Sequence, residues 1–233
     1  MVEQVKQHKS SPLIDLLISI VIPSVILMKL SGDDDLGATG ALIVALCFPV
    51  GWGLLELIRH KKYNFIAILG IVSVLLTGGI GLLKLDPQWL AVKEAAMPAI
   101  MGIAVLISTH TRYPLIRTMV YNPAIVRVEM IHDRLTETGN TEPFEQRLRN
   151  ANYLFGATFF FSSLMNYVLA KWIVVSPAGS TAFNEELGRL TLLSYPMIAI
   201  PSTFMIFAIL YYLWRTLRDL TGLTLESVMI VKE

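Results

Sequence analysis

The residues with the greatest chemical potential sit inside apolar stretches. Lys93 and Glu94 follow Leu90-Ala91-Val92 near the start of one stretch, Glu56 lies near the end of another, and Asp15 lies one turn into the first. Ionisable groups in such places are costly and mark ion paths, proton relays or buried pairs. Each also has a plain structural reading. Ser11-Pro12 reads as a helix cap and first helical residue, and the helix dipole favours the Asp15 carboxylate that follows. The dipole disfavours Glu56, but Arg59 and His60 stand at i+3 and i+4 as partners. Asp86-Pro87 reads as the start of the helix carrying Lys93, whose side chain can lean back and reach headgroups. Lys93 and Glu94 point about 100° apart, so they are no obvious pair.

Asn152 and Asn166 are fourteen residues apart in one apolar stretch. That spacing puts them about 40° apart on a helix, on one face. Buried amides either glue helices together or line a polar path. Gly78 and Gly79, with Thr77 before them and Gly81 after, thin another stretch enough for a close helix crossing. Phosphate-loop, zincin and serine-hydrolase motifs are missing. The four histidines are scattered, and the single Cys47 excludes an internal disulfide or a cysteine metal cluster. Asp33–Asp35 reads as a solvated turn, with a cation site as the sharper alternative. The sequence therefore predicts no catalytic, cofactor-binding or metal-ligating residues, and a protein that is not an enzyme.

The elements that position these residues follow from composition. The chain has 233 residues, 54% hydrophobic and 16% charged, against about 45–50% and 25% in globular domains. Mean hydropathy is +0.59. An ordinary soluble enzyme and a disordered chain are excluded, and a net charge of +1 gives no sign of a nucleic-acid partner. Six apolar blocks stand out: Leu13–Leu30, Leu36–Ile58, Phe65–Leu83, Leu90–Thr109, Ala151–Val175 and Leu190–Trp214. Each approaches or exceeds the roughly 20 residues a helix needs to cross a bilayer. Backbone groups in lipid must pair internally, so the blocks are expected to be helices. The first, followed by Lys29 and Asp33–Asp35 with no small-residue cleavage site, reads as an uncleaved span.

The predicted fold is all-α and polytopic: six transmembrane helices in three outward hairpins, forming a single transmembrane domain over residues 1–233. Fourteen Lys and Arg residues fall in the N-terminal segment, Arg59–Lys62, Thr111–Asn150 and the segment after Trp214, against five on the other side. The positive-inside bias then places both termini in the cytoplasm. Met28-Lys29-Leu30 and Leu83-Lys84-Leu85 faintly echo one another as hairpin tips. Prolines 23, 49, 98, 196 and 201 interrupt four spans, and the last two can kink the final helix twice. No pair of discontinuous binding helices is evident.

The cytoplasmic connection, residues 111–150, carries one amphipathic helix through Ile125, Val128, Ile131 and Leu135. It reads as a linker lying on the membrane or packing under the bundle, or as a docking site for a cytoplasmic partner. Pro143 suits the first turn of the helix that leads into the fifth span.

Several short stretches together resemble the intracellular septation protein A family of bacterial inner-membrane proteins. They are Ala38-Thr39-Gly40-Ala41-Leu42-Ile43-Val44-Ala45, Thr77-Gly78-Gly79, Lys93, Pro114-Leu115-Ile116-Arg117, and Asn152, Phe159, Asn166, Tyr167 and Ala170. The likeness covers most of residues 36–122 and 150–215, in a longer branch with Phe155 where the family has tryptophan. The resemblance implies a multi-pass protein of the bacterial inner (cytoplasmic) membrane that supports envelope integrity and division, without established catalysis or cofactor. Its partners would be the lipid bilayer and other inner-membrane proteins. The alternative is a small transporter or lipid-handling protein with a polar path through Lys93, Asn166 and Glu56.

Overall fold

The computed structural model describes residues 16–60, 65–111, 114–123 and 125–230. Among these the chain is helical, apart from one antiparallel bridge between Val126 and Met229. A π-helical turn, Leu17–Val21, leads into α1 (Ile22–Lys29). Next come α2 (Gly37–His60), α3 (Phe65–Leu82) and α4 (Gln88–Thr109). Two short helices follow, α5 (Leu115–Val120) and α6 (Val128–Glu137), then the longest, α7 (Thr141–Ile173). A last long stretch comprises α8 (Thr181–Ser194), a second π-helical turn (Tyr195–Ala199) and α9 (Ile200–Thr221), before α10 (Leu225–Val228).

Four of these stretches are long and apolar enough to cross a membrane: Gly37–Leu55, Gln88–Thr109, Thr141–Ile173 and Thr181–Thr221. Of an apolar run of 18 residues within each, only 17% to 22% is buried within the protein. The rest of their apolar surface far exceeds what a soluble monomer leaves in water. The first and third apolar blocks form shorter apolar helices, Leu17–Lys29 and Gly70–Leu82.

The helices outrun the apolar blocks. The fifth block starts at Ala151, yet α7 starts at Thr141, with Pro143 in its first turn. Its polar beginning is amphipathic: Phe144, Leu148 and Ala151, at helical spacing, are all buried. The sixth block starts at Leu190, yet α8 starts at Thr181 because Ser180 Oγ caps it, accepting the Phe183 N–H at 3.1 Å. Gly222, at φ +70°, closes α9 in the left-handed conformation that ends helices.

The contacts group into two compact units, Met1–Lys93 with Tyr167–Pro196, and Glu94–Asn166 with Met197–Glu233. In the first, α1 packs on α2 and α8, and α3 packs on α2. Glycines set the approach. A Cβ at Gly78 would stand 2.7 Å from Leu46 Cδ1, and one at Gly81 would stand 2.5 Å from Leu42 Cδ2. Open space lies beside Gly79. The expected crossing is therefore made by Gly78 and Gly81, and Gly79 takes no part in it. The two neighbours point about 100° apart on the helix, so only one can face α2. Gly78→Leu is expected to lower stability by about 1–3 kcal/mol through overpacking. Gly79→Leu should leave the melting temperature in detergent unchanged or slightly raised. Equal losses from both would contradict this geometry.

In the second unit a core joins α5, α6, the start of α7, the end of α9 and α10. Ile116, Ile131, Leu135, Phe144, Leu148, Ile209, Leu213 and Val228 are buried there. The amphipathic helix expected from Ile125 onward spans Val128–Glu137 and buries Ile131 and Leu135, while Ile125 stays exposed ahead of it. Its apolar face is thus spent inside the protein. Around this core the Arg127 N–H donates to the Val228 carbonyl at 2.8 Å, and the Ile230 N–H to the Ile125 carbonyl at 2.9 Å. Asn140 Nδ2 and Thr138 Oγ1 both donate to the Leu220 carbonyl at the end of α9. Arg117 pairs with Glu145 at 2.9 Å. Tyr121 donates to the Val128 carbonyl at 3.1 Å, and burial raises its phenol pKa against the opposing pull of Arg117.

Candidate functional site

Lys93 is half-buried on α4. Its Nζ donates to Thr77 Oγ1 at 2.7 Å and reaches the Ser73 carbonyl at 3.5 Å, tying α4 to α3. Thr77 is buried and donates its own hydroxyl hydrogen to the same Ser73 carbonyl at 3.1 Å. The Thr77 hydroxyl therefore accepts from the lysine and donates onward, as a hydroxyl can. Glu94, next in sequence, is half-buried and belongs to the second unit. Glu56 lies on α2, but its side chain and all of Asp15 fall outside the described residues.

Asn152 is fully buried in the second unit and spends its whole amide. Its Oδ1 accepts the Ile116 N–H at 3.0 Å. Its Nδ2 donates to the Val105 carbonyl at 2.8 Å and to Thr109 Oγ1 at 2.6 Å, with Ser108 Oγ at 3.3 Å. Ile116 lies in the first turn of α5, where backbone N–H groups lack helical partners. A carbonyl partner on one side and an N–H partner on the other fix which end of the amide is oxygen. Ser108 extends the network, donating to the Val105 carbonyl at 2.6 Å and accepting the Leu115 N–H at 3.2 Å. One side chain on α7 thus bonds the end of α4 and the start of α5.

Asn166 behaves differently. Its Nδ2 returns to the Ser162 carbonyl of its own helix at 2.8 Å. The shared face read from the fourteen-residue spacing does not give the two amides a shared task.

A second buried amide, Asn184, went unread in the sequence. It is fully buried on α8 in the first unit. Nδ2 donates to Ser31 Oγ at 3.0 Å and to the Ala38 carbonyl at 2.7 Å. Ser31 Oγ donates in turn to the Leu27 carbonyl at 2.8 Å, and Thr181 Oγ1 donates to the Ser31 carbonyl at 3.0 Å. Asn184 Oδ1 and Ser24 Oγ are buried and unpaired among the described residues. The available signal was Phe183, Leu187 and Leu190 at i, i+4 and i+7, which extends the final helix back past Asn184.

Glu186, on α8, holds the turn that follows α7. Its Oε2 accepts the Val175 and Ser176 N–H groups, each at 2.9 Å, and its Oε1 accepts the Ser176 hydroxyl at 2.7 Å. Nearby, in the same unit, a cleft of about 240 Å³ is lined by Asp86, Pro87, Gln88, Lys171, Val174 and Val175. Trp89 and Trp172 lie beside these residues in sequence and are 61% and 76% exposed, as interfacial aromatics are. Among the described residues, no three of His, Cys, Asp and Glu gather where they could hold a metal ion.

No family model, curated protein or solved structure matches the chain.

Proposed function

We propose that the chain is a non-enzymatic, multi-pass protein of the bacterial inner membrane, akin to the septation protein A family. In this reading it supports envelope integrity and division through helix contacts with other membrane proteins. The observation that carries it is how the intramembrane polar groups are spent. Lys93 closes onto Thr77, and Asn152 stitches α4, α5 and α7 together. Groups used this way rigidify a scaffold. The transport reading needs Lys93, Asn166 and Glu56 along one path. Asn166 spends its amide on its own helix, which argues against that use.

The proposed topology has six spans with both termini in the cytoplasm, on the strength of the fourteen-to-five charge bias. Single cysteines at Asp34, Gln88 and Val175, in a Cys47→Ala background, are expected to react with an impermeant maleimide in intact cells. Cysteines at Lys62 and Glu142 should react only after permeabilisation. Labelling at 62 in intact cells would reverse the orientation.

Lys93 separates the scaffold from the transporter. In a complementation assay at matched protein levels, Lys93→Arg should restore envelope integrity, because it keeps a charged donor near Thr77. Lys93→Gln should be mildly impaired, and Thr77→Val should match it. A transport site built around a compact ammonium would reject the planar guanidinium as well. Complete loss in both lysine variants, with normal insertion and melting temperature, would sink the scaffold reading.

A further inference from the structure

The uncovered face of α9 changes chemistry along its length. Phe204, Phe207 and Tyr211 are all exposed. Steps of three and four residues put them on one stripe of the helix. Ile209, Leu213 and Thr216 lie on the opposite face and are buried. Continued by four residues and then by three, the stripe meets Arg215 and Arg218, which are exposed as well. It therefore passes from aromatic to cationic without leaving its face.

The change falls at a definite depth. Phe204 and Arg215 are separated by about 16 Å of helix. One leaflet of a ~30 Å hydrocarbon core is about 15 Å deep. Aromatic rings beside acyl chains would thus put the guanidiniums at the level of the phosphates. Trp214 stands at the junction, as interfacial tryptophans do.

The cations at that level are gathered. Arg147, reaching over from α7, and Arg215 approach the same oxygen of Asp219, with Nη1 at 3.9 Å and Nε at 3.5 Å. Arg218 lies over the Trp214 ring, its Cζ 6.0 Å from the centroid, and Trp214 in turn meets Tyr211 at 5.5 Å. One carboxylate serves two guanidiniums, so the three arginines keep an excess of positive charge. All of these residues belong to the second compact unit. The guanidinium fork matches phosphate oxygens in pairs. A headgroup that also carries an ammonium would bring it against the arginines; one with a phosphate alone would not.

We propose that this face of α9 holds one anionic phospholipid of the phosphatidylglycerol type. Its phosphate lies against Arg147, Arg215 and Arg218, and one acyl chain runs along Tyr211, Phe207 and Phe204. The site rests on α9 crossing a membrane and not on the scaffold role.

The test is native mass spectrometry of the full chain released from detergent, titrated separately with phosphatidylglycerol and phosphatidylcholine. The first phosphatidylglycerol should bind at least about tenfold more tightly than the first phosphatidylcholine. Arg215→Gln/Arg218→Gln should bring it down to the phosphatidylcholine level. Arg215→Lys/Arg218→Lys should fall between, because it keeps the charge and loses the fork. Arg134→Gln/Lys171→Gln, which removes two cations elsewhere, should leave the preference intact. Excess glycerol phosphate should not displace the lipid. Equal wild-type affinities for the two lipids overturn the site without any variant being needed. So does an unchanged preference in the Arg215/Arg218 glutamine double, or an equal loss in the Arg134/Lys171 double. Displacement by glycerol phosphate would make the ligand a soluble anion and overturn the lipid. Retention of neither lipid would overturn the membrane reading together with the site.

Discussion

Replacing Asn152 with leucine is expected to lower the melting temperature of the purified protein by about 5–10 °C. Leucine fills nearly the same volume, so the loss reports hydrogen bonding rather than a cavity. The Ile116 N–H, the Val105 carbonyl and the Thr109 hydroxyl would lose their Asn152 partner in a site with no exposed surface. An unsatisfied buried group costs about 1–3 kcal/mol, while interhelical bonds in membranes average nearer 0.6 kcal/mol. Several losses in one network give about 2–3 kcal/mol, and each kcal/mol moves the midpoint by about 2–4 °C in a protein of this size. Asn152→Asp should fail too, since a carboxylate cannot donate to the Val105 carbonyl. Asn166→Leu is the internal comparison. Its amide serves only its own helix, so its shift should be under about 2 °C. Equal shifts at the two positions would show that burial, not bridging, sets the cost.

The second large effect is expected at Gly188. A Cβ there would lie 2.7 Å from Met28 Cγ and 2.8 Å from the Ser24 carbonyl oxygen. A methionine Cγ can turn aside with its side chain; a backbone carbonyl moves only with its helix. Gly188→Ala should therefore cost about 1–3 kcal/mol, even though alanine favours helix by about 1 kcal/mol over glycine. Trimming the side chain should not help, so Gly188→Ala/Met28→Ala stays destabilised. Gly81 offers the contrast, because its nearest obstacle is the Leu42 side chain. Gly81→Ala should be largely rescued by Leu42→Ala in a double-mutant cycle of melting temperatures. Rescue at Gly188 by Met28→Ala would show that α1 and α8 are not held backbone to backbone.

How far the fold was legible depended on what set each boundary. Apolar blocks locate helices because burial in lipid and in protein select the same residues. They do not locate helix ends, which are set by single polar groups such as Ser180. The polar start of α7 was legible through Pro143, which suits a first helical turn, although its buried residues Phe144 and Leu148 are few and separated by charge. Asn152 was legible as glue because it stood alone in an apolar run. Asn184 was not, because it lies ahead of the apolar block that starts at Leu190, beside the charged Glu185 and Glu186. Gly78 and Gly79 look alike in sequence, and only the rotation of α3 decides which meets α2. The short α5 and α10 have no local signal, since they are held by the core of the second unit.

That core has a consequence for synthesis. Ile131 and Leu135 emerge from the ribosome well before Ile209, Leu213 and Val228, which cover them in the finished protein. At about 5–20 residues per second, the delay between Leu135 and Val228 is about 5–20 s. Throughout that interval the apolar stripe of α6 has its partners on α5 and the start of α7 but lacks those on α9 and α10. The newborn protein thus passes through a stage with this core half built, and the last residues of the core end it.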